Sequence, residues 1–206
     1  NPRHTVAQIL AQPLRLYYSL SGSALHDASV DLLERVRLGA HYLDRLPSQL
    51  SGGEKQRVAI ARAFAAEPEI VLCDEVTSAL DVSVQAAVLD LLDDLKTQQG
   101  TTYIFVSHDL AVVKAISDRV AVLYQGRLCE IGPADAVYEA PFHPYTDVLL
   151  GAVLEPDPDI APNLSADDVV ELSPPAQGCC FQRRCPRKLG DICDHCLLYT
   201  SDAADD

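Results

Sequence analysis

The residues best suited to chemistry are two adjacent carboxylates, Asp74 and Glu75, which directly follow the apolar segment IVLC (70–73). Ligand sites in open α/β sheets lie beyond the carboxyl ends of the strands, so both side chains are predicted to face such a site. One carboxylate there can hold Mg²⁺, while its neighbour deprotonates an attacking water. A turn with two solvated acids is the alternative that fits the same pattern.

A second polar cluster follows the apolar segment TYIFV (102–106) and contains His108. If this segment and residues 70–73 are neighbouring parallel strands, His108 shares a sheet edge with Asp74 and Glu75. A histidine after a strand is more often structural than catalytic. His108 is therefore a candidate only in combination with the two carboxylates.

A third candidate is the stretch LSGGEKQR (50–57), which reads as the start of a helix. Ser51 is a favourable N-cap, and Gly52 and Gly53 allow backbone N–H groups to approach an anion closely. The helix dipole also favours negative charge at this end. An ordinary capped helix after a loop would explain the same residues without any ligand.

These candidates lie in a chain that alternates helical and strand-like segments. Between 51 and 131 the alternation predicts a largely parallel sheet, and the QG pair at 125–126 allows an antiparallel hairpin at its edge. Residues 5–46 have helical spacing interrupted at 21–23 and at Gly39, and two short helical pieces follow Pro133. We predict helices at 52–66, 82–98 and 109–117, and strands at 70–73, 102–106, 119–124 and 127–131.

Composition restricts the class of protein. A chain of 206 residues with 48% apolar content is long enough for a globular core. It has no run of 18 apolar residues and no signal-like start, so any membrane connection would be through a partner. The formal net charge of −14 argues against general nucleic-acid binding, because neutralising phosphates requires an excess of Lys and Arg.

Taken together, these stretches resemble the ATP-binding subunits of ABC transporters. LSGGEKQRVAIARA resembles the signature motif, with Glu54 where Gln is usual, and IVLCDE resembles the Walker B strand. SALD (78–81) resembles the D-loop, and His108 resembles the switch histidine. The resemblance implies an α/β fold: the C-terminal part of an ABC-type P-loop ATPase domain, with a mostly parallel sheet, flanking helices and part of the helical subdomain.

The same resemblance implies a role for each site residue in ATP hydrolysis. Asp74 would hold Mg²⁺, Glu75 would be the catalytic base and His108 would sense the γ-phosphate. The signature would contact ATP bound to a second ATP-binding subunit. The residues implied on the nucleotide side are Ser51, Gly52, Gly53, Glu54 and, in the D-loop, Asp81.

One part of the family pattern has no counterpart in the sequence: none of the ten glycines begins a G-x-x-x-x-G-K-[ST] spacing. The first residues, NPRHTVAQIL, resemble the stretch just after the family's Q-loop. We therefore expect a fragment that lacks the P-loop and Q-loop, binds ATP weakly and hydrolyses it negligibly alone. The implied partners of the full-length subunit are a second ATP-binding subunit, transmembrane permease subunits and, indirectly, a solute-binding protein, at the cytoplasmic face of the membrane.

The end of the chain indicates a branch of the family. PFHPYTDVLL (141–150) and GCCFQRRCPRKLGDIC (178–193) resemble the C-terminal extension of the oligopeptide, dipeptide and nickel import ATPases. This implies an ATPase that powers import of peptides or related solutes, without indicating which solute. Three alternatives stay open: a non-transport ABC ATPase, a metal-binding interaction module with a vestigial ATPase, and half of a fused double ATPase.

The cysteines divide into two groups. Cys73 and Cys129 lie in apolar strand-like segments and are predicted to be buried thiols. Cys179, Cys185 and Cys193 match spaced cysteines of the extension, which in some family members accompany an iron–sulfur cluster. Thiolates at such spacing suit an iron–sulfur cluster or zinc, and reduced cysteines in a small appended fold are the alternative.

These patterns divide the chain into five predicted segments. The last, beginning CLLYTSDAAD, resembles a sequencing-library adapter read in frame, so we expect an artefact there rather than a fold. A genuine disordered acidic tail is the alternative that its charge and small residues would permit. The segments are a helical subdomain portion (1–50), an ATPase core portion (51–154), an acidic, proline-rich linker (155–177), the C-terminal extension (178–195) and the adapter-like tail (196–206).

Overall fold

The computed structural model describes residues 1–78, 80–152, 175 and 177–195. The predicted linker lies almost entirely outside the described residues, and the adapter-like tail lies wholly outside them. The chain forms two compact units, Asn1–Asp109 and a second that begins at Leu110. This division does not coincide with the predicted boundaries at 50 and 154, which stay predictions.

The first unit begins with two helices, α1 (Val6–Tyr18) and α2 (Gly22–Arg35), as the helical spacing predicted. The Thr5 hydroxyl accepts from Gln8 N, and Gln8 Oε1 accepts from Thr5 N, which completes a capping box at the start of α1. The helix α3 (Gly52–Phe64) packs on both. Their shared core includes the fully buried side chains of Leu10, Leu33 and Phe64.

A strand–helix–strand unit follows within the same half. Strands β1 (Ile70–Asp74) and β2 (Thr102–Val106) pair in parallel, in register from Ile70↔Thr102 to Asp74↔Val106. The helix α4 (Val82–Gln99) connects them, and Gly100 caps its C-terminal end with a φ of +66°, the left-handed conformation that glycine favours. The predicted strands and their parallel pairing are confirmed.

The second unit contains an antiparallel hairpin, β3 (Arg119–Tyr124) and β4 (Arg127–Pro133). Gln125 and Gly126 at the turn both have positive φ, which suits a two-residue turn between right-twisted strands. The hairpin is confirmed, but among the described strands it forms its own sheet instead of the edge of the β1–β2 sheet. The remaining helices are α5 (Leu110–Ile116), α6 (Ala134–Glu139), α7 (Pro144–Gly151) and α8 (Asp191–His195).

None of the described helices is both long enough and apolar enough to cross a lipid bilayer.

Candidate functional site

The parallel pairing of β1 and β2 brings the predicted polar residues to one sheet edge. Asp74 ends β1 opposite Val106, the last residue of β2, and Glu75 and His108 follow these positions. Nδ1 of His108 lies 3.2 Å from Oε1 of Glu75. Both side chains are more than half exposed, so the pair faces solvent and is open to a ligand. The expected proximity of the carboxylates and His108 is thus present.

Glu75 has an unusual backbone conformation, with φ at +46°. Non-glycine residues seldom adopt this left-handed region, and they persist there when surrounding contacts hold them. Glu75 N donates to the Val106 carbonyl over 2.9 Å, and the Glu75 carbonyl accepts from Ser78 N and from Ser78 Oγ. These bonds fix the turn after β1 and with it the direction of the Glu75 side chain.

The carboxylate of Asp74 suits a divalent cation. It is an exposed side chain at the strand end, and no ion pair or side-chain hydrogen bond within the described residues occupies it. Mg²⁺ prefers hard oxygen ligands and is commonly bound through one or two carboxylates, with water and substrate phosphates completing its shell. Asp74 therefore has the donor type and the accessibility that such an ion requires.

Asp81, predicted on the nucleotide side, is engaged in a helix cap. Its Oδ1 accepts from Ser83 Oγ over 2.7 Å and from Val84 N over 2.9 Å, at the start of α4. The bond from Ser83, followed by the one from Val84, lowers the pKa of Asp81. The structure thus gives this carboxylate a local structural role, and its nucleotide role stays a prediction.

Ser51 caps α3 as predicted. Its hydroxyl accepts from Glu54 N over 3.3 Å, and Glu54 Oε2 accepts from Ser51 N over 2.7 Å. This reciprocal pair is a capping box. Both Ser51 and Gly52 are exposed, so the end of the helix is accessible.

Close packing explains why glycine is needed at position 53, which the sequence pattern did not reveal. A Cβ on Gly53 would lie 2.5 Å from Val84 Cγ1, closer than real side chains approach, whereas a Cβ on Gly52 would meet Leu80 at an ordinary 3.6 Å. Gly53 therefore lets the start of α3 pack against α4. Sequence reasoning assigned both glycines to an anion, but Gly53 is required by the fold itself.

Tyr42 is a site neighbour that sequence reasoning missed. Its hydroxyl donates to Glu54 Oε1 over 2.5 Å, from a short 3₁₀ turn (Ala40–Tyr42) that precedes the signature. This bond, followed by the one from Ser51 N, lowers the pKa of Glu54 to about 2. The two residues are 12 positions apart and share no helix or strand, so no periodic pattern could have paired them.

The C-terminal cysteines do not form a metal site in the structure. The described residues contain no group of three or more His, Cys, Asp and Glu side chains arranged to hold a metal ion. An iron–sulfur or zinc centre on Cys179, Cys185 and Cys193 therefore has no support. The three residues are free thiols, although a backbone bond joins Cys179 N to the Cys193 carbonyl.

Two other thiol contacts hold the C-terminal segment to the hairpin and to α7. The sulfur atoms of Cys129 and Cys180 lie 3.6 Å apart in a buried position, and Cys179 Sγ lies 3.6 Å from His143 Nε2. Burial, together with the Cys180 bond, raises the pKa of Cys129 to about 12. Cys73 is buried as well, so both thiols predicted to be buried are confirmed.

The HPYT stretch is organised by a buried carboxylate. Glu130 on β4 accepts hydrogen bonds from Phe142 N, from His143 N and from the Thr146 hydroxyl, over 2.9, 3.1 and 2.5 Å. The Nδ1 atom of His143 accepts from Tyr145 N and so caps α7. This network fixes α7 beside the hairpin.

Comparison with known families gives two matches in different parts of the chain. Residues 1–78 match the ABC transporter family, and residues 129–193 match the C-terminal region of oligopeptide/dipeptide transporters. The first match contains the signature and the end of β1, and the second contains the Glu130 network and the C-terminal cysteines. The two matches occur in the order that the motifs indicated.

Individual relatives agree with these matches. The oligopeptide transport ATP-binding protein OppF of Salmonella typhimurium is 46% identical over 192 residues, which are 90% of this chain and 57% of the relative. The dipeptide transport ATP-binding protein DppF of Escherichia coli is 44% identical over 193 residues, 92% of this chain and 58% of the relative. The chain thus spans a little over half the length of these curated relatives.

A solved structure shares the fold. The ATP-binding cassette MJ0796, in a dimeric, post-hydrolysis state bound to ADP and phosphate, superposes with a TM-score of 0.58 at 32% identity. The superposition covers 65% of this chain and 58% of the other.

Proposed function

Because this chain belongs to the family of ABC transporter ATP-binding subunits, we propose that it acts in an ATP-hydrolysing subunit that powers solute import, with peptides as the substrate class. The observation that carries the proposal is the shared sheet edge, where Glu75 and His108 lie 3.2 Å apart beside Asp74. The match over residues 129–193 favours a transporter over a non-transport ABC ATPase.

In the proposed reaction, Glu75 accepts a proton from the attacking water. The water oxygen bonds to the γ-phosphorus, the bond from that phosphorus to the β–γ bridging oxygen breaks, and ADP and phosphate leave. His108 hydrogen-bonds the γ-phosphate and, through Nδ1, keeps the Glu75 carboxylate oriented. Asp74 would hold Mg²⁺, which neutralises phosphate charge when bound.

Ser51, Gly52 and Gly53 contact the nucleotide of a second ATP-binding subunit in this proposal. The exposed cap of α3 presents the Ser51 hydroxyl and free N–H groups of the first helical turn, which suit a phosphate. The dimeric state of the cassette MJ0796 supports such an arrangement. Permease subunits would then anchor the dimer peripherally at the cytoplasmic face of the membrane.

The test is Glu75→Gln in the complete open reading frame that contains this sequence, purified with its membrane subunits. Loss of a general base typically costs a factor on the order of 10² to 10⁴, so ATP hydrolysis should fall by about that amount. ATP should still bind, and an ATP-bound dimer should accumulate in size-exclusion chromatography.

Glu69→Gln is the matched control, since Glu69 is an exposed glutamate that directly precedes β1, at the end away from Glu75. It should leave hydrolysis unchanged. Normal turnover in Glu75→Gln would overturn the catalytic assignment. Uptake of labelled peptides by reconstituted vesicles tests the substrate class separately, and ATP-dependent uptake of another solute but no peptide would overturn that part.

A further inference from the structure

The carboxylate of Glu54 creates an electrostatic difficulty for the proposed phosphate contact. Glu54 lies in the first turn of α3, within the same capping box as Ser51, and its low pKa keeps it ionised at neutral pH. When no ligand is present, a negative charge at the N-terminal end of a helix interacts favourably with the helix dipole. It would repel a phosphate that approached the same helix end, unless its charge were directed elsewhere.

Both carboxylate oxygens of Glu54 accept a hydrogen bond. Oε1 accepts from the Tyr42 hydroxyl, and Oε2 accepts from Ser51 N. Arg45 supplies a cation close by, with its Cζ 4.4 Å from the centre of the Tyr42 ring. The His41 ring contacts the Tyr42 ring in a tilted arrangement, with the centroids 4.5 Å apart and the planes at 43°. The Tyr42 side chain therefore contacts the Arg45 guanidinium, the His41 ring and the Glu54 carboxylate.

The Ser51 hydroxyl is left able to donate. Its oxygen accepts from Glu54 N, and no acceptor within the described residues takes its proton. If the Glu54 carboxylate were released from Tyr42, only the bond from Ser51 N would hold it, and it could rotate towards solvent at the helix end, where a phosphate would bind. The Tyr42–Glu54 bond thus controls where the negative charge lies relative to Ser51.

We propose that Tyr42 is a positioning residue for the signature, which holds the Glu54 carboxylate back so that Ser51 and its neighbouring amides can receive a nucleotide phosphate. This rests on the proposed function, because the phosphate is that of the ATP bound by the second subunit. Tyr42 touches neither the nucleotide nor the reacting atoms, and it acts through Glu54.

The test is Tyr42→Phe in the complete gene product, which removes the hydroxyl and keeps the ring. The KM for ATP should rise about five- to tenfold, as expected for the net loss of one typical hydrogen bond, while kcat changes less than about twofold. The increase should shrink at about 1 M salt, because salt screens the repulsion between a Glu54 carboxylate directed to solvent and the phosphate.

A double-mutant cycle separates this role from a structural one. Glu54→Gln removes the negative charge, so adding Tyr42→Phe to it should change KM by less than about twofold. Tyr17→Phe is the matched control, since Tyr17 is an exposed tyrosine on α1, and it should leave KM unchanged. If Tyr42→Phe raised KM equally in the unmodified protein and in the Glu54→Gln variant, the inference would be overturned.

The outcomes also distinguish this inference from the proposed function. Suppose that the unmodified protein hydrolyses ATP and that Glu75→Gln traps the ATP-bound dimer. If Tyr42→Phe then leaves the KM for ATP unchanged, only the role of Tyr42 is overturned. If the unmodified protein neither binds ATP nor forms an ATP-dependent dimer, both fail together.

Discussion

At the scale of single residues, Gly53 illustrates how a motif position can serve the fold. Its missing Cβ creates the space in which Val84 packs, since a Cβ there would lie 2.5 Å from Val84 Cγ1. Valine in a helix has one strongly preferred side-chain rotamer, so it cannot easily turn away. The clash would therefore have to be relieved by moving α3 relative to α4.

Gly53→Ala should accordingly destabilise this chain by about 1–2 kcal/mol, because overpacking outweighs the helix propensity that alanine adds. Urea unfolding followed by circular dichroism measures the change. Adding Val84→Ala should relieve the clash, so the double variant should lose less stability than the sum of the losses in the two single variants. Gly151→Ala is the control, since nothing lies within 4 Å of a Cβ on Gly151. Equal stability of Gly53→Ala and the unmodified chain would contradict the packing explanation.

At the scale of elements, the cap of α7 depends on the protonation of His143. Nδ1 accepts from Tyr145 N, which requires that nitrogen to carry no proton. Burial lowers the pKa of His143, while the nearby Glu130 opposes this shift. The unfolded state therefore binds more protons than the folded state as the pH falls below the ordinary value of about 6.5. The folded state loses stability in that range.

We expect His143→Asn to weaken this acid sensitivity, because asparagine also caps helices but does not titrate. The free energy of unfolding, measured in urea at about pH 7.5 and about pH 5.5, should differ less between the two pH values than in the unmodified chain. His26→Asn, at an exposed position on α2, is the control and should keep the original pH difference. An unchanged pH difference in His143→Asn would show that the cap does not titrate.

At the scale of the whole molecule, one face of the β1–β2 sheet is apolar and exposed. Ile70, Leu72, Ile104 and Val106 occupy alternate positions that the parallel register places on the same face, and their exposed fractions are 60, 66, 53 and 47%. The opposite face is packed, with Cys73 buried and the rings of Phe64 and Tyr103 in edge contact. Contiguous apolar faces of this kind promote association.

This chain on its own should therefore self-associate at concentrations on the order of 10 μM, as measured by light scattering. The double substitution Leu72→Thr/Ile104→Thr should reduce that association, because threonine keeps the strand propensity while making the face polar. Leu189→Thr, at an exposed apolar residue outside the sheet, serves as the control. If the double variant still self-associates, the surface responsible is not the apolar face of the β1–β2 sheet.

Local sequence patterns predicted most of the secondary structure. The predicted strands at 102–106 and 119–124 match the observed bounds, and the helix predicted at 82–98 ends one residue later, at Gln99. These elements are specified by periodicity and by end signals such as Gly100, which act over a few residues. The hairpin turn was predictable for the same reason, but the separation of the two sheets was not.

The amino-acid sequence by itself determined the family resemblance, the order of the motifs and the candidate residues, because these depend on residue types and short spacings. Only the tertiary structure decided which side chains meet. His108 reaches Glu75 across 33 positions because two parallel strands end together, and Tyr42 reaches Glu54 across 12 because a 3₁₀ turn packs beside a helix end. Such contacts depend on the path of the whole chain, which no local pattern encodes.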